Sequence, residues 1–111
     1  MLYLFQASLE KPADMTRADF YHLWEQESEA AIAFLQSGEA LSAYKLAGAD
    51  ELIAIFDIVS NDRIDQIMQS LPIWRLNAQH MAKVRWTPLR AYADWYADLK
   101  ILSGSKAKAE A

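Results

Sequence analysis

The sequence predicts one α+β domain of the split βαβ, ferredoxin-like kind, in the order β-α-β-β-α-β, followed by an extra C-terminal helix. Three observations predict it. The chain of 111 residues has room for one hydrophobic core and no second lobe. Its apolar residues alternate in some stretches and recur at helical spacing in others, in the order strand, helix, strand, strand, helix, strand. Breaker and capping residues fall between those stretches, at 11–16, 38, 48–51, 60–62 and 72. Such a unit forms a four-stranded antiparallel sheet with two helices on one face.

Residues 2–9 place Tyr3, Phe5, Ala7 and Leu9 on one side and Leu2, Leu4, Gln6 and Ser8 on the other, a strand partly covered on both faces. Lys11-Pro12-Ala13-Asp14 breaks it. Thr16 with Asp19 resembles a capping box, Asp standing in for the usual Glu, and Met15 with Phe20 forms the hydrophobic staple, so a helix begins at Arg17. Its apolar residues are Phe20, Leu23, Trp24, Ala30, Ala31, Phe34 and Leu35, and Gly38 is its left-handed stop. Residues 40–47 read as a strand with Ser42, Tyr44 and Leu46 on one side and Leu41, Ala43 and Lys45 on the other, and Gly48-Ala49-Asp50-Glu51 reads as a hairpin turn. Residues 52–59 are apolar on both faces except for Asp57, as suits an interior strand. Ser60-Asn61-Asp62 can cap a second helix with the stripe Ile64, Ile67, Met68 and Leu71, ended by Pro72. After an irregular stretch, residues 81–89 form the last strand, closed by Pro88.

These elements make residues 1–89 the ferredoxin-like domain. Residues 90–102 add an amphipathic helix carrying Tyr92, Trp95, Tyr96, Leu99 and Leu102, expected to pack on a neighbouring subunit or to lid a pocket. Residues 103–111 are small and polar and are expected to be disordered. The sheet face away from the helices still carries large apolar side chains and needs a partner, most simply a second copy packed face to face.

Composition narrows the chemistry. Hydrophobic residues at 53% and charged residues at 23% make a globular composition, neither disordered nor membrane-spanning. No stretch approaches the roughly 20 apolar residues that span a bilayer. The opening Met1-Leu2-Tyr3-Leu4-Phe5 lacks the basic start of an export signal, so the cytoplasm is the expected compartment, with no membrane partner. Without cysteine there are no disulfides, thiolate catalysis or Cys-based metal sites. A net charge of −4 argues against a nucleic-acid partner, and the basic pair Lys106 and Lys108 is offset by Glu110. Four Trp, five Tyr and four Phe exceed what so small an interior needs, so some of Trp24, Trp74, Trp86 and Trp95 should line a pocket or an interface.

Glu27 is the residue out of place. At about 100° per residue it lies within about 20° of Phe20 and Phe34 and within about 40° of Leu23 and Ala31, in the middle of the apolar stripe. A carboxylate buried there must be paired, hydrogen-bonded, or held with a raised pKa beside a water-lined cavity. A raised pKa suits a base that takes a proton from carbon next to a carbonyl near neutral pH. The structural alternative is an ion pair with Lys45 or Arg85.

Other candidates carry less. Tyr44 and Ser42 share a strand face and could donate hydrogen bonds to an oxyanion, or could be ordinary cross-strand packing. Trp74 and Arg75 follow the second helix and could border a pocket and supply a cation suited to a carboxylate. His80 could approach a pocket from the irregular stretch, His22 points away from the stripe, and Asp57 suits anchoring the following turn. Two histidines without ligand spacing do not make a metal site. Three glycines leave no phosphate loop and no nucleophile elbow, so no cofactor is expected.

The pattern resembles the muconolactone Δ-isomerase family. The shared features run without a gap over residues 1–72: Met1-Leu2 opening into the first strand, Pro12-Ala13-Asp14-Met15, Glu27, Gly38, Leu46-Ala47-Gly48, Phe56-Asp57 and Leu71-Pro72, with a weaker match at Thr87-Pro88-Leu89. The resemblance implies a ferredoxin-like fold assembling through its sheets into a dimeric α+β barrel, a homodimer or higher homo-oligomer. It also implies cofactor-free isomerisation of a small-molecule substrate of aromatic-compound catabolism, an unsaturated lactone bearing a carboxylate. The family's helix glutamate falls on Glu27. The chain departs from the family at Ser42-Ala43-Tyr44-Lys45, at Ile73-Trp74-Arg75-Leu76-Asn77 and from Arg90 onward, where pocket walls and subunit contacts should lie, and this leaves room for a different metabolite.

The leading expectation is therefore a cofactor-free isomerase. Glu27 is its general base, Tyr44 or Ser42 stabilises the enolate oxygen, Lys45 or Arg75 holds a substrate carboxylate, and Trp24, Trp74 and His80 line the binding space. Alternatives are a cofactor-independent monooxygenase of the dimeric α+β barrel type acting on an aromatic substrate, and a non-catalytic metabolite-binding accessory protein.

Overall fold

A computed structural model of the chain describes residues 1–105. Along the chain run β1 (Leu2–Leu9), α1 (Arg17–Ser37), β2 (Ala40–Lys45), β3 (Glu51–Asp57), α2 (Asn61–Ser70), α3 (Pro72–Arg75), a 3₁₀ turn (Gln79–Met81), β4 (Ala82–Leu89) and α4 (Tyr92–Leu102). The strands form one open sheet in the order β2-β3-β1-β4, every neighbouring pair antiparallel. This is the split βαβ arrangement, with β1 and β3 inside and β2 and β4 at the edges. The part of the tail from residue 106 onward, expected to be disordered, lies outside the described residues.

Local chemistry sets the ends of α1. Thr16 is extended, and its Oγ1 accepts a hydrogen bond from the Asp19 N–H at 3.1 Å. At the other end Gly38 takes φ +83° and donates its N–H to the Leu35 carbonyl. A methyl group added to Gly38 would meet nothing within 4 Å. The cost of Gly38→Ala is therefore backbone strain alone, and thermal or denaturant unfolding should show a loss of about 1–2 kcal/mol.

The stretch expected to be irregular is partly helical. Pro72 does end α2, because Leu71 before it is held extended at φ −69°, ψ 138°. Pro72 is also the first residue of α3, where its fixed φ suits a helix start and its missing N–H goes unneeded. Pro88 lies within β4 rather than closing it, which an edge strand tolerates because one side of its ladder is open.

The helix-facing side of the sheet carries the main core: Phe5, Ala7, Ala40, Ala54 and Phe56, packed with Ile58 and with Ile67 of α2. Trp86 packs partly buried against this core, its ring 4.9 Å from Phe5 and 5.1 Å from Phe56, centroid to centroid. A second cluster joins Leu9 and Phe20 to Ile73, Ala78 and Met81, and ties α1 to α3 and the 3₁₀ turn. The opposite sheet face carries Leu2, Leu4, Ile53 and Ile55, all only partly buried.

α4 buries none of its residues against the rest of the chain. Its contacts are largely local, an Arg90–Asp98 ion pair at 2.5 Å and Lys100 4.4 Å from the Tyr96 ring centroid. Among the described residues no helix is long and apolar enough to cross a membrane.

Candidate active site

Between α1 and the helix-facing side of the sheet lies a cavity of about 660 Å³. Its floor is buried and apolar, formed by Phe5, Ala7, Ala54 and Phe56 with Ile67 and Ile73. α1 forms the roof. Along the predicted stripe only Phe20 is fully buried, while Leu23, Trp24, Ala31 and Phe34 are half-buried, because the helix stands over empty space rather than pressing on the sheet.

Glu27 faces this cavity, as its place in the stripe predicts. It pairs with neither Lys45 nor Arg85. Arg85 lies opposite Gln6 on the other sheet face, and the Lys45 Nζ donates to the Leu46 carbonyl at 3.0 Å. The partner of Glu27 is instead the backbone N–H of Ile73, which donates to Oε1. Pro72 and the second apolar cluster aim that N–H, so α3 supplies the polar contact for a carboxylate on α1. The other oxygen has no hydrogen bond among the described residues. No partner-less side-chain oxygen is fully buried among the described residues, so Oε2 is not sealed off, and Glu27 is part of the cavity wall.

Burial raises the Glu27 carboxyl above its ordinary value; the Ile73 hydrogen bond and the Arg75 charge only partly offset the desolvation. A carboxylate with one oxygen fixed and the other free, and with raised proton affinity, has the attributes of a general base.

The remaining candidates divide by position. Trp24 and Trp74 line the cavity, half-buried. Lys45, at the edge strand, borders its mouth, its Nζ 5.9 Å from the Trp24 ring centroid, whereas Tyr44 touches the mouth from a position opposite Ile53, a residue of the other sheet face. Arg75 is exposed and outside the wall, acting on Glu27 through its charge. Ser42 and His80 are not brought to the cavity. A register shift between Ala40 and Ser42 sets Ser42 opposite Ile55, a residue of the other sheet face, and His80 is exposed on the 3₁₀ turn. Asp57 accepts from the Met1 nitrogen at 3.0 Å instead of anchoring the turn that follows it. No residue of α4 reaches the cavity wall, so α4 does not lid the pocket of its own chain.

Three contributors are not legible in the sequence. Ser28 and Glu25, off the stripe by angle, reach the mouth because the roof is raised. The Ile73 N–H carries no side-chain signal; only the proline before it hinted at a helix start. Among the described residues no group of three or more His, Asp or Glu side chains could hold a metal ion.

A sequence model described as muconolactone delta-isomerase matches residues 1–94. The chain belongs to that family. Glu27, the cavity and every strand lie within the matched span, whereas most of α4 lies beyond it. The fold is also that of a solved muconolactone isomerase crystal structure, with a TM-score of 0.67 at 21% identity over 82% of this chain and 90% of that one. Two further solved structures are more distant. Protein Atu4242 from Agrobacterium tumefaciens has a TM-score of 0.43 at 18% identity, covering 83% of this chain and 96% of that one. A second structure of Atu4242, described as a nipsnap family protein with unknown function, has 0.39 at 20%, covering 81% and 89%. No curated protein matches the sequence.

Proposed function

We propose that this member of the muconolactone delta-isomerase family is a cofactor-free isomerase that shifts a double bond in an unsaturated lactone or related carbonyl metabolite. Membership of the family supports this reading, and the observation that carries it is the Glu27 carboxylate at the wall of an apolar cavity, with Oε1 held by Ile73 and no hydrogen bond to Oε2 among the described residues. The C–H bond beside the substrate carbonyl breaks, its proton passes to Oε2, and its electrons delocalise into the enolate. Glu27 then returns the proton to the far carbon of the conjugated system, and the double bond has moved with no net change of protons or electrons. Lys45 is the cation at the mouth for a substrate carboxylate. Aromatic-compound catabolism in the cytoplasm is the setting that fits such a substrate.

The direct test is incubation with unsaturated lactones in deuterated water without oxygen. The reading expects the isomerised product with deuterium at its far carbon, where the proton on Glu27 exchanges with solvent before its return, and deuterium next to the carbonyl only in substrate that is reprotonated without isomerising. Oxygen consumption with no anaerobic product would point to a monooxygenase, and binding without exchange would point to an accessory protein. Either result would overturn the isomerase reading.

The same reading includes a homodimer built on the open sheet. Leu2, Leu4, Ile53 and Ile55 form an apolar patch at the centre of the face away from the helices, and a second copy there would close an α+β barrel. Ile55→Asp should leave the monomer fold intact and shift sedimentation from dimer to monomer. An unchanged dimer would place the interface elsewhere.

A further inference from the structure

The cavity is large for the chemistry proposed above. A carboxymethyl-substituted butenolide such as muconolactone has about ten non-hydrogen atoms; at no more than a water's share of liquid volume each, about 30 Å³, it occupies at most ~300 Å³. That is under half of the 660 Å³ present. The surplus is apolar. The polar or charged residues at the wall other than Glu27, the two tryptophans aside, are Tyr21, Glu25, Ser28, Tyr44 and Lys45, and all five are exposed. A small, highly oxygenated lactone would leave most of the floor to water, which such a surface holds poorly.

The extra volume has an identifiable origin. Ala31 sits one turn beyond Glu27 on the roof, and Ala43 and Ala54 face it from the floor on paired positions of β2 and β3. Three methyl side chains meet where larger residues would fill the gap. Next to them Phe34, Phe56 and Trp74 offer aromatic walls, and the mouth is rimmed by exposed Ile32 and Leu35.

We infer that the substrate is a carbonyl compound with a bulky hydrophobic body, of fused-ring or aryl-substituted size, whose acidic C–H lies at Glu27 and whose single anionic group reaches Lys45 at the mouth. This rests on the isomerase reading for the orientation of the substrate, but its size class rests on the cavity alone.

The test compares two ligands sharing one butenolide ring: muconolactone, and the ring bearing a naphthyl arm with one carboxylate. Binding is read from quenching of Trp24 and Trp74 fluorescence, and chemistry from solvent-deuterium exchange. The parent should bind the naphthyl lactone at least tenfold more tightly than muconolactone. Ala31→Leu and Ala43→Leu, each checked for a parental circular-dichroism spectrum and melting curve, should weaken the naphthyl ligand tenfold or more and leave muconolactone within about twofold. Equal or tighter binding of muconolactone by the parent, no binding of either ligand, or equal losses for both in the filled variants would overturn the size inference. The expected size preference without deuterium exchange would leave that inference standing and remove the isomerase reading instead.

Discussion

Replacing Glu27 with glutamine should lower solvent-deuterium exchange and turnover of an unsaturated lactone by about 10²–10⁴-fold, the range a positioned general base supplies. The substitution is a narrow one. Glutamine keeps the length of the side chain, and its amide oxygen can still accept from the Ile73 N–H, so α1 and α3 stay joined. What disappears is the oxygen that takes the proton. Ligand affinity should change much less than turnover, which separates loss of a base from loss of a binding surface. In the parent, kcat/KM should climb with pH until the raised Glu27 carboxyl is ionised, with its midpoint above the ordinary value of 4.5. Unchanged exchange in the glutamine variant would remove Glu27 from the chemistry.

Stability should respond to the same substitution with the opposite sign. Because the folded-state pKa is raised, the native chain holds the Glu27 proton where the unfolded chain has lost it. The parent therefore has its full stability below the ordinary carboxyl value and loses part of it as pH rises through the raised one. Glutamine has nothing to ionise. The melting temperature of Glu27→Gln relative to the parent should accordingly improve as pH increases across that window, in a series of thermal melts. A group that is costly to stability and indispensable to turnover would mark a functional position.

Phe20→Ala should be the most damaging single substitution for the fold, costing about 3–5 kcal/mol. The side chain is 1% exposed and packs among Leu9, Ile73, Ala78 and Met81. No neighbour there can collapse cheaply, since the cluster joins four separate elements. For a domain of this size the melting temperature should fall by roughly 12–25 °C. Phe20→Leu keeps most of the volume and should cost far less. The damage should also reach the site. Phe20 helps hold α3 against α1, so loosening it loosens the Ile73 N–H from Glu27 and removes one of the two effects that lower the carboxyl's proton affinity. A Phe20→Ala variant that melts like the parent would show the second cluster to be dispensable.

Much of this molecule can be read from residue order. The alternation in residues 2–9 and the Thr16 cap, Gly38 stop and apolar stripe of α1 are local signals, and each appears where the residues place it. Glu27 is legible for the same reason: helical periodicity is local geometry, and it puts a carboxylate among apolar side chains before any tertiary contact is known. The other site residues had weaker standing because strand faces depend on register. One shift at Ala40–Ser42 was enough to set Ser42 opposite Ile55, and nothing in a single strand announces it.

The chain by itself determined the split βαβ order, the ends of α1 and the inward carboxylate, because backbone preference and side-chain period act over a few residues. Only the tertiary structure decided that α1 rides above the sheet and that the Ile73 N–H, rather than Lys45 or Arg85, holds Glu27. It likewise decided that small side chains from α1, β2 and β3 meet to leave 660 Å³ open. Those outcomes depend on how distant segments share volume and satisfy each other's polar groups, and no local stretch of sequence encodes that balance.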